Sequence, residues 1–175
     1  GVVHTDVLEP YHPAIRRALK RTVAMRRLNK SFWIIDGDIH IDAHHTVEDT
    51  AIVVGQALAE AWGDKAGVRR FASGLYPLDE ALVEVALDLS GRPFVAYDVP
   101  IGEVLPLGDP PFNPEMAEHF WQSFATAAGI TLHVTLRSGR NTHHIVEATF
   151  KVVARCLRDA VRVEGAAVPS TKGTL

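Results

Sequence analysis

At 175 residues, 47% hydrophobic and 22% charged, the chain is long enough for one domain with a substantial core and has the balance of an ordinary globular protein. A net charge of −3 argues against general nucleic-acid binding, which needs a basic face, and no apolar run approaches the roughly 20 residues that span a bilayer. The one cysteine, Cys156, cannot close an internal disulfide and reads as a small buried hydrophobe on the apolar side of a helix. With no signal peptide visible, a reducing, cytoplasmic setting is expected.

Residues 1–33 carry the weakest pattern. After Pro13, Ile15, Leu19, Thr22 and Val23 recur at helical spacing, which predicts a helix within Asp6–Arg27. Its other face is basic, with Arg16, Arg17, Lys20, Arg21, Arg26 and Arg27, followed by Lys30. A solvated face is the plain reading of such a run; an arm that binds an anion or RNA is the sharper one. Ser31–Ile35 is apolar enough for a strand, Asp36-Gly37-Asp38 supplies turn chemistry, and Ile39–Asp42 alternates as a short strand.

The next stretch is His44-His45-Thr46-Val47-Glu48-Asp49. It opens a helix with Val47, Ala51, Val54, Leu58 and Ala61 inward and Gly63 as its stop. Lys65–Phe71 is a basic connection, Leu82–Leu89 alternates as a strand, and Ser90-Gly91-Arg92-Pro93 is a turn. Phe94–Val99 is expected to return as the hairpin partner of that strand. Residues 100–113, rich in Pro and Gly, form a connector between halves at about 1–99 and 114–175 of a single domain.

In the second half Asn113 can cap a helix with Pro114 in its first position, Met116, Phe120 and Phe124 inward, and Gly129 at its end. His119 lies beside that stripe and, taken alone, would more often be a packed or surface histidine than a ligand. Ile130–Leu136 alternates as a strand carrying His133, and Ser138-Gly139-Arg140-Asn141 turns the chain into His143-His144-Ile145-Val146-Glu147-Ala148. The helix that follows places Val146, Phe150, Val153, Leu157 and Val161 inward. The tail from Val168 to Leu175, as a bare segment, reads as disordered.

The His-His-x-x-Glu pattern thus appears at position 44 and again at position 143, an offset of 99 residues. Residues four apart on a helix share a face, so His44 and Glu48 can address one point, while His45 is turned by about 100° and addresses another. Imidazole and carboxylate together suit first-row divalent ions. One copy would be a solvated helix start; two copies at equivalent places point to metal binding and to an internal duplication about a pseudo-two-fold axis. The element order predicts an α+β fold, internally duplicated, with a sheet packed against helices.

Several runs together resemble imidazoleglycerol-phosphate dehydratase: Gly37 through Ile52, Asp88-Leu89-Ser90-Gly91-Arg92-Pro93, Asn141 to Glu147, and Pro169-Ser170-Thr171-Lys172-Gly173. The likeness covers about residues 36–175. It implies a fold like domain 2 of ribosomal protein S5, and the lyase of histidine biosynthesis that dehydrates imidazole glycerol phosphate to imidazole acetol phosphate. It implies two Mn2+ per active site, held by His44, His45, Glu48, His119, His143, His144 and Glu147, with His40 or His133 as weaker candidates. Glu147, or else Glu48, moves the proton, and elimination passes through a neutral diazafulvene-like intermediate. Phosphate falls to Arg70, Arg92, Lys151, Ser170 and Lys172, which revises the tail to ordered where it meets phosphate. The resemblance further implies a large homo-oligomer, commonly of 24 subunits, with active sites between subunits and no nucleic-acid or membrane partner.

The likeness fails at the beginning. Stepping back from His44 by the 24 residues that separate His119 from His143 lands on Lys20, and only His12 and His4 stand upstream. The family's N-terminal strand, with its threonine and glutamate, is also absent. Three readings follow: an active dehydratase, an impaired member that binds metal and assembles but turns over poorly, and a metal-stabilised or basic-arm binding protein.

Overall fold

The structure, a computed structural model, describes residues 3–4, 24–29, 32–37, 43–102, 105–109 and 111–175. The first elements are β1 (Val3–His4), β2 (Ala24–Asn29) and β3 (Phe32–Asp36), which form a three-stranded antiparallel sheet in the order β1-β3-β2. Helix α1 (Ala43–Trp62) follows, and then strands β4 (Phe71–Leu78), β5 (Ala81–Asp88) and β6 (Phe94–Asp98). The chain continues with α2 (Met116–Ala128), β7 (Thr131–Ser138) and α3 (Thr142–Ala160). The fold is α+β, with a four-stranded sheet ordered β4-β5-β7-β6 packed against helices.

Two expectations about the strands need correction. The helix within Asp6–Arg27 gives way at its described end to a strand, because Ala24–Arg27 bond antiparallel to Trp33–Asp36 of β3. A helical spacing resting on four positions is a weak local preference, and a complete set of interstrand backbone bonds overrides it. The rest of that expectation, and the short strand at Ile39–Asp42, lie outside the described residues. The second correction concerns Phe94–Val99. β6 does not return against β5; it runs parallel to β7, with Phe94 opposite Thr131 and Asp98 opposite Thr135. Both sides of β5 are already taken, by β4 across the two-residue turn Asp79-Glu80 and by β7. Ser90–Pro93 therefore opens a crossover rather than a hairpin.

Alternation fixes which face of the sheet is inside. Ala81, Val83, Val85 and Leu87 of β5 are buried against α3, whose Val152, Val153 and Cys156 are likewise buried, and Leu132 and Val134 of β7 are buried beside them. A fully buried side chain such as Val83 contributes roughly 1.5–3 kcal/mol by its removal from water. Helix α2 adds Phe120, Trp121 and Phe124, with Phe150 of α3 against the first two at ring separations of 5.0 and 4.6 Å.

Helices α1 and α2 are packed side by side with their N-terminal ends together, and this sets up the site. Gly55 permits the contact: a Cβ there would lie 2.7 Å from the Phe124 carbonyl oxygen and 2.8 Å from the Ala127 Cβ. Asn113, expected to cap α2, does not: Glu115 holds the cap position without a side-chain bond. Asn113 Oδ1 accepts from the Glu115 backbone N–H at 3.0 Å in the turn before the helix. Gly129 ends it in the left-handed region at φ 65°, where a residue without Cβ is favoured.

Candidate active site

The first motif and His119 come together. His44, Glu48 and His119 place one ligand atom each within 4.8 Å of one another, and the rings of His44 and His119 stack at 4.2 Å. The cause is local and tertiary at once: the i, i+4 spacing puts His44 and Glu48 on one side of α1, and close packing with α2 delivers His119 to that side. Among the described residues, buried His119 Nε2 has no hydrogen-bond partner, yet Glu48 Oε1 lies 3.7 Å away. An imidazole nitrogen facing a carboxylate across more than hydrogen-bond distance suits a cation between them, and two imidazoles with one carboxylate suit Mn2+, Fe2+, Co2+ or Zn2+.

Adjacent histidines diverge in both motifs, as the helical turn requires. The rings of His44 and His45 stand 5.8 Å apart at 84°, and those of His143 and His144 stand 6.1 Å apart at 83°. His45 is exposed.

The second motif is built on α3 by a side-chain cap. Asn141 Oδ1 accepts from the backbone N–H of His143 and His144, at 2.9 and 3.3 Å. One turn on, Glu147 takes His143 Nε2 at 3.1 Å on one oxygen and the Lys151 ammonium at 2.6 Å on the other. The Lys151 hydrogen bond, more than any other contact, holds the Glu147 carboxyl below the usual carboxylate range. His144 turns away from this ladder: its Nδ1 lies 2.7 Å from Glu80 Oε2 and its Nε2 3.7 Å from Asp79 Oδ2. The Glu80 contact raises the His144 pKa and, with backbone N–H groups, lowers that of Glu80 to about 2. Among the described residues, the cluster at His44, Glu48 and His119 does not include His143, His144 or Glu147. His133 stands exposed on the outer sheet face beside Phe94, and His40 lies outside the described residues.

The phosphate candidates divide. Arg70, Arg92, Ser170 and Lys172 line a cleft of about 630 Å³ together with Gly91 and Thr171, whereas Lys151 is at Glu147. Arg70 is engaged along its whole guanidinium. Nε and Nη2 donate to the two Asp88 oxygens at 2.7 and 3.0 Å, and Nη1 donates to the Pro169 carbonyl at 2.8 Å. It thereby fastens the tail, and just before the tail the Ala167 carbonyl accepts from the Gly67 backbone N–H at 2.9 Å. Arg92 and Lys172 are exposed at the cleft and supply its positive charge.

Asp79 and Glu80 have no motif around them that a single sequence displays; a turn carboxylate reads as solvated until the fold brings α3 to it.

The fold and these clusters define an α+β protein whose helix N-termini carry histidine–carboxylate groups suited to divalent cations, and which also carries a cationic cleft. Residues 17–157 match the family model described as imidazoleglycerol-phosphate dehydratase. The chain is 56% identical over 140 residues to the imidazoleglycerol-phosphate dehydratase of Acidothermus cellulolyticus, covering 79% of this chain and 66% of that protein. With that of Parafrankia it shares 55% over 142 residues, covering 80% of this chain and 71% of that protein. The chain thus spans about two-thirds of the length of these relatives. Among solved structures, imidazoleglycerol-phosphate dehydratase from Staphylococcus aureus superposes with a TM-score of 0.68 at 28% identity, covering 93% of this chain and 89% of that one. That of Pyrococcus furiosus gives 0.67 at 30%, covering 97% and 86%. The chain belongs to the imidazoleglycerol-phosphate dehydratase family, hydro-lyases of histidine biosynthesis.

Proposed function

We propose that the protein removes water from imidazole glycerol phosphate to give imidazole acetol phosphate, with Mn2+ as its metal, two ions per site. The observation that carries this reading is the meeting of His44, Glu48 and His119, with His119 Nε2 buried and, among the described residues, without a hydrogen bond. In this proposal His44, His45, Glu48, His119, His143, His144 and Glu147 are the ligand set. Because the two motifs are not gathered within one copy among the described residues, the second motif of one copy completes the first motif of another. Self-association, as a homo-oligomer of 24 copies by resemblance, is then a condition of activity. Lys151, on the same helix as the second motif, enters the composite site with it.

The chain's own groups divide the work. Arg92, Ser170 and Lys172 hold the phosphate in the cleft, and Arg70 holds the tail that carries two of them. Mn2+, when bound, would supply Lewis acidity toward the substrate ring and hydroxyls, easing departure of the hydroxyl on the carbon attached to the ring and acidifying the C–H of the next carbon. Glu147, kept ionised by Lys151, is available to accept that proton, with Glu48 as the other carboxylate able to do so. The carbon attached to the ring loses hydroxide, which leaves with a proton as water, and the resulting enol becomes the ketone.

The test is turnover of imidazole glycerol phosphate by metal-stripped and Mn2+-restored protein. Water loss only with Mn2+, abolished in His143→Ala, is expected. Bound Mn2+ with negligible turnover would favour the impaired reading, and full activity in His143→Ala would remove the second motif from the site.

A further inference from the structure

We infer that Glu80 is a positioning residue for His144: it fixes which ring nitrogen carries the hydrogen and so leaves Nε2 as the ligating atom. The inference rests on the reading of His144 as a metal ligand.

Glu80 sits in the two-residue turn between β4 and β5, with Leu78 and Ala81 as the closing pair. Its two oxygens have separate duties. Oε1 accepts from the backbone N–H groups of Arg140 and Asn141, at 3.3 and 2.8 Å, and so holds the loop that leads into α3. Oε2 contacts His144 Nδ1 at 2.7 Å. An ionised carboxylate only accepts hydrogen bonds, so Nδ1 must donate, and in the neutral ring that binds a metal Nε2 is left with its lone pair. A histidine that binds metal through one nitrogen ordinarily donates from the other to a carboxylate or carbonyl, and that partner sets both tautomer and ring orientation. Asn141, whose side chain caps His143 and His144, is itself held by Glu80. His144 is thus held twice, at its backbone through Asn141 and at its ring through Glu80. Neither hold is readable from α3 alone, because Glu80 lies 64 residues upstream of His144.

Replacing Glu80 by Gln separates the two duties. Gln has one carbonyl oxygen, and two backbone donors on one side against one ring donor on the other direct that oxygen to Arg140 and Asn141. Its NH2 then faces His144 Nδ1, which must accept, so the hydrogen moves to Nε2 and blocks it. Replacement by Ala removes both contacts at once.

The experiment titrates the metal-stripped full chain with Mn2+, reading free Mn2+ by its paramagnetic resonance signal, and records the metal-free thermal midpoint. Wild type, Glu80→Gln, Glu80→Ala and His144→Ala are compared. Expected is a loss of Mn2+ affinity of about 10–100-fold in Glu80→Gln with a midpoint close to wild type, and loss of both in Glu80→Ala. Wild-type affinity in Glu80→Gln, with His144→Ala impaired, would overturn the positioning role alone. Affinity that follows the midpoint across the variants would likewise overturn it, leaving a structural turn residue. Unchanged Mn2+ binding in His144→Ala would overturn the ligand reading beneath it.

Discussion

Arg70 joins three parts of the chain, and breaking that joint should loosen the cleft lined by Ser170 and Lys172 without dismantling the fold. The perturbation is a double-mutant cycle of Arg70→Met, Asp88→Asn and the pair. Arg70 and Asp88 are 15% and 16% exposed and share two charge-assisted bonds. Exposed pairs are worth roughly 0.2–1 kcal/mol and breaking fully buried ones costs roughly 3–5, so a coupling of about 2 kcal/mol is expected. Arg70→Met also gives up the bond to the Pro169 carbonyl. Its total loss is then about 3 kcal/mol, or roughly 6–12 °C in midpoint for a chain of this size. Urea unfolding followed by tryptophan fluorescence, at one fixed protein concentration because the proposed association would add stability, measures the cycle. The tail carries Ser170 and Lys172, so Arg70→Met should also raise KM for the phosphorylated substrate while sparing kcat. A coupling below about 0.5 kcal/mol, with KM unchanged, would refute the view of Arg70 as a brace.

Gly55→Ala should destabilise by roughly 1–3 kcal/mol, although Ala is the better helix former, because the new Cβ meets the backbone of α2 2.7 Å away. A neutral or stabilising result in urea unfolding would show that α1 and α2 can part freely. Burial pushes the Cys156 thiol up from 9.0 to about 11. Between those values the folded thiol keeps a proton that the unfolded one gives up. Stability from this group is therefore complete below pH 9 and falls as pH rises toward 11, by about 2–3 kcal/mol. Unfolding free energies across that interval should show the decline in wild type and a flatter course in Cys156→Ala; identical slopes would remove the cause.

Periodic features were the ones a reader of the sequence could see. α1 and α3 declare themselves by apolar positions at helical spacing, Gly129 marks the end of α2, and Asn141 the start of α3, as their chemistry requires. The histidine motifs were legible because spacing on a helix translates directly into direction. β4 was not: Gly74 and Pro77 interrupt it, and its place at the sheet edge is what lets a proline remain in a strand. β6 was visible as a strand but not its partner, since parallel pairing with β7 depends on a crossover that no local pattern records. Arg70, Asp88 and Pro169 form one joint from three separated positions, and Glu80 reaches His144 across 64 residues. Such contacts are consequences of the packed core, and composition and spacing carry no trace of them.

The most direct measurement is the number of Mn2+ ions retained per chain after gel filtration of the assembled protein, in wild type, His44→Ala and His143→Ala. Wild type is predicted to keep two and each variant to lose metal. An empty wild-type protein, or two ions retained in both variants, would contradict the claim that these histidine pairs hold the metal.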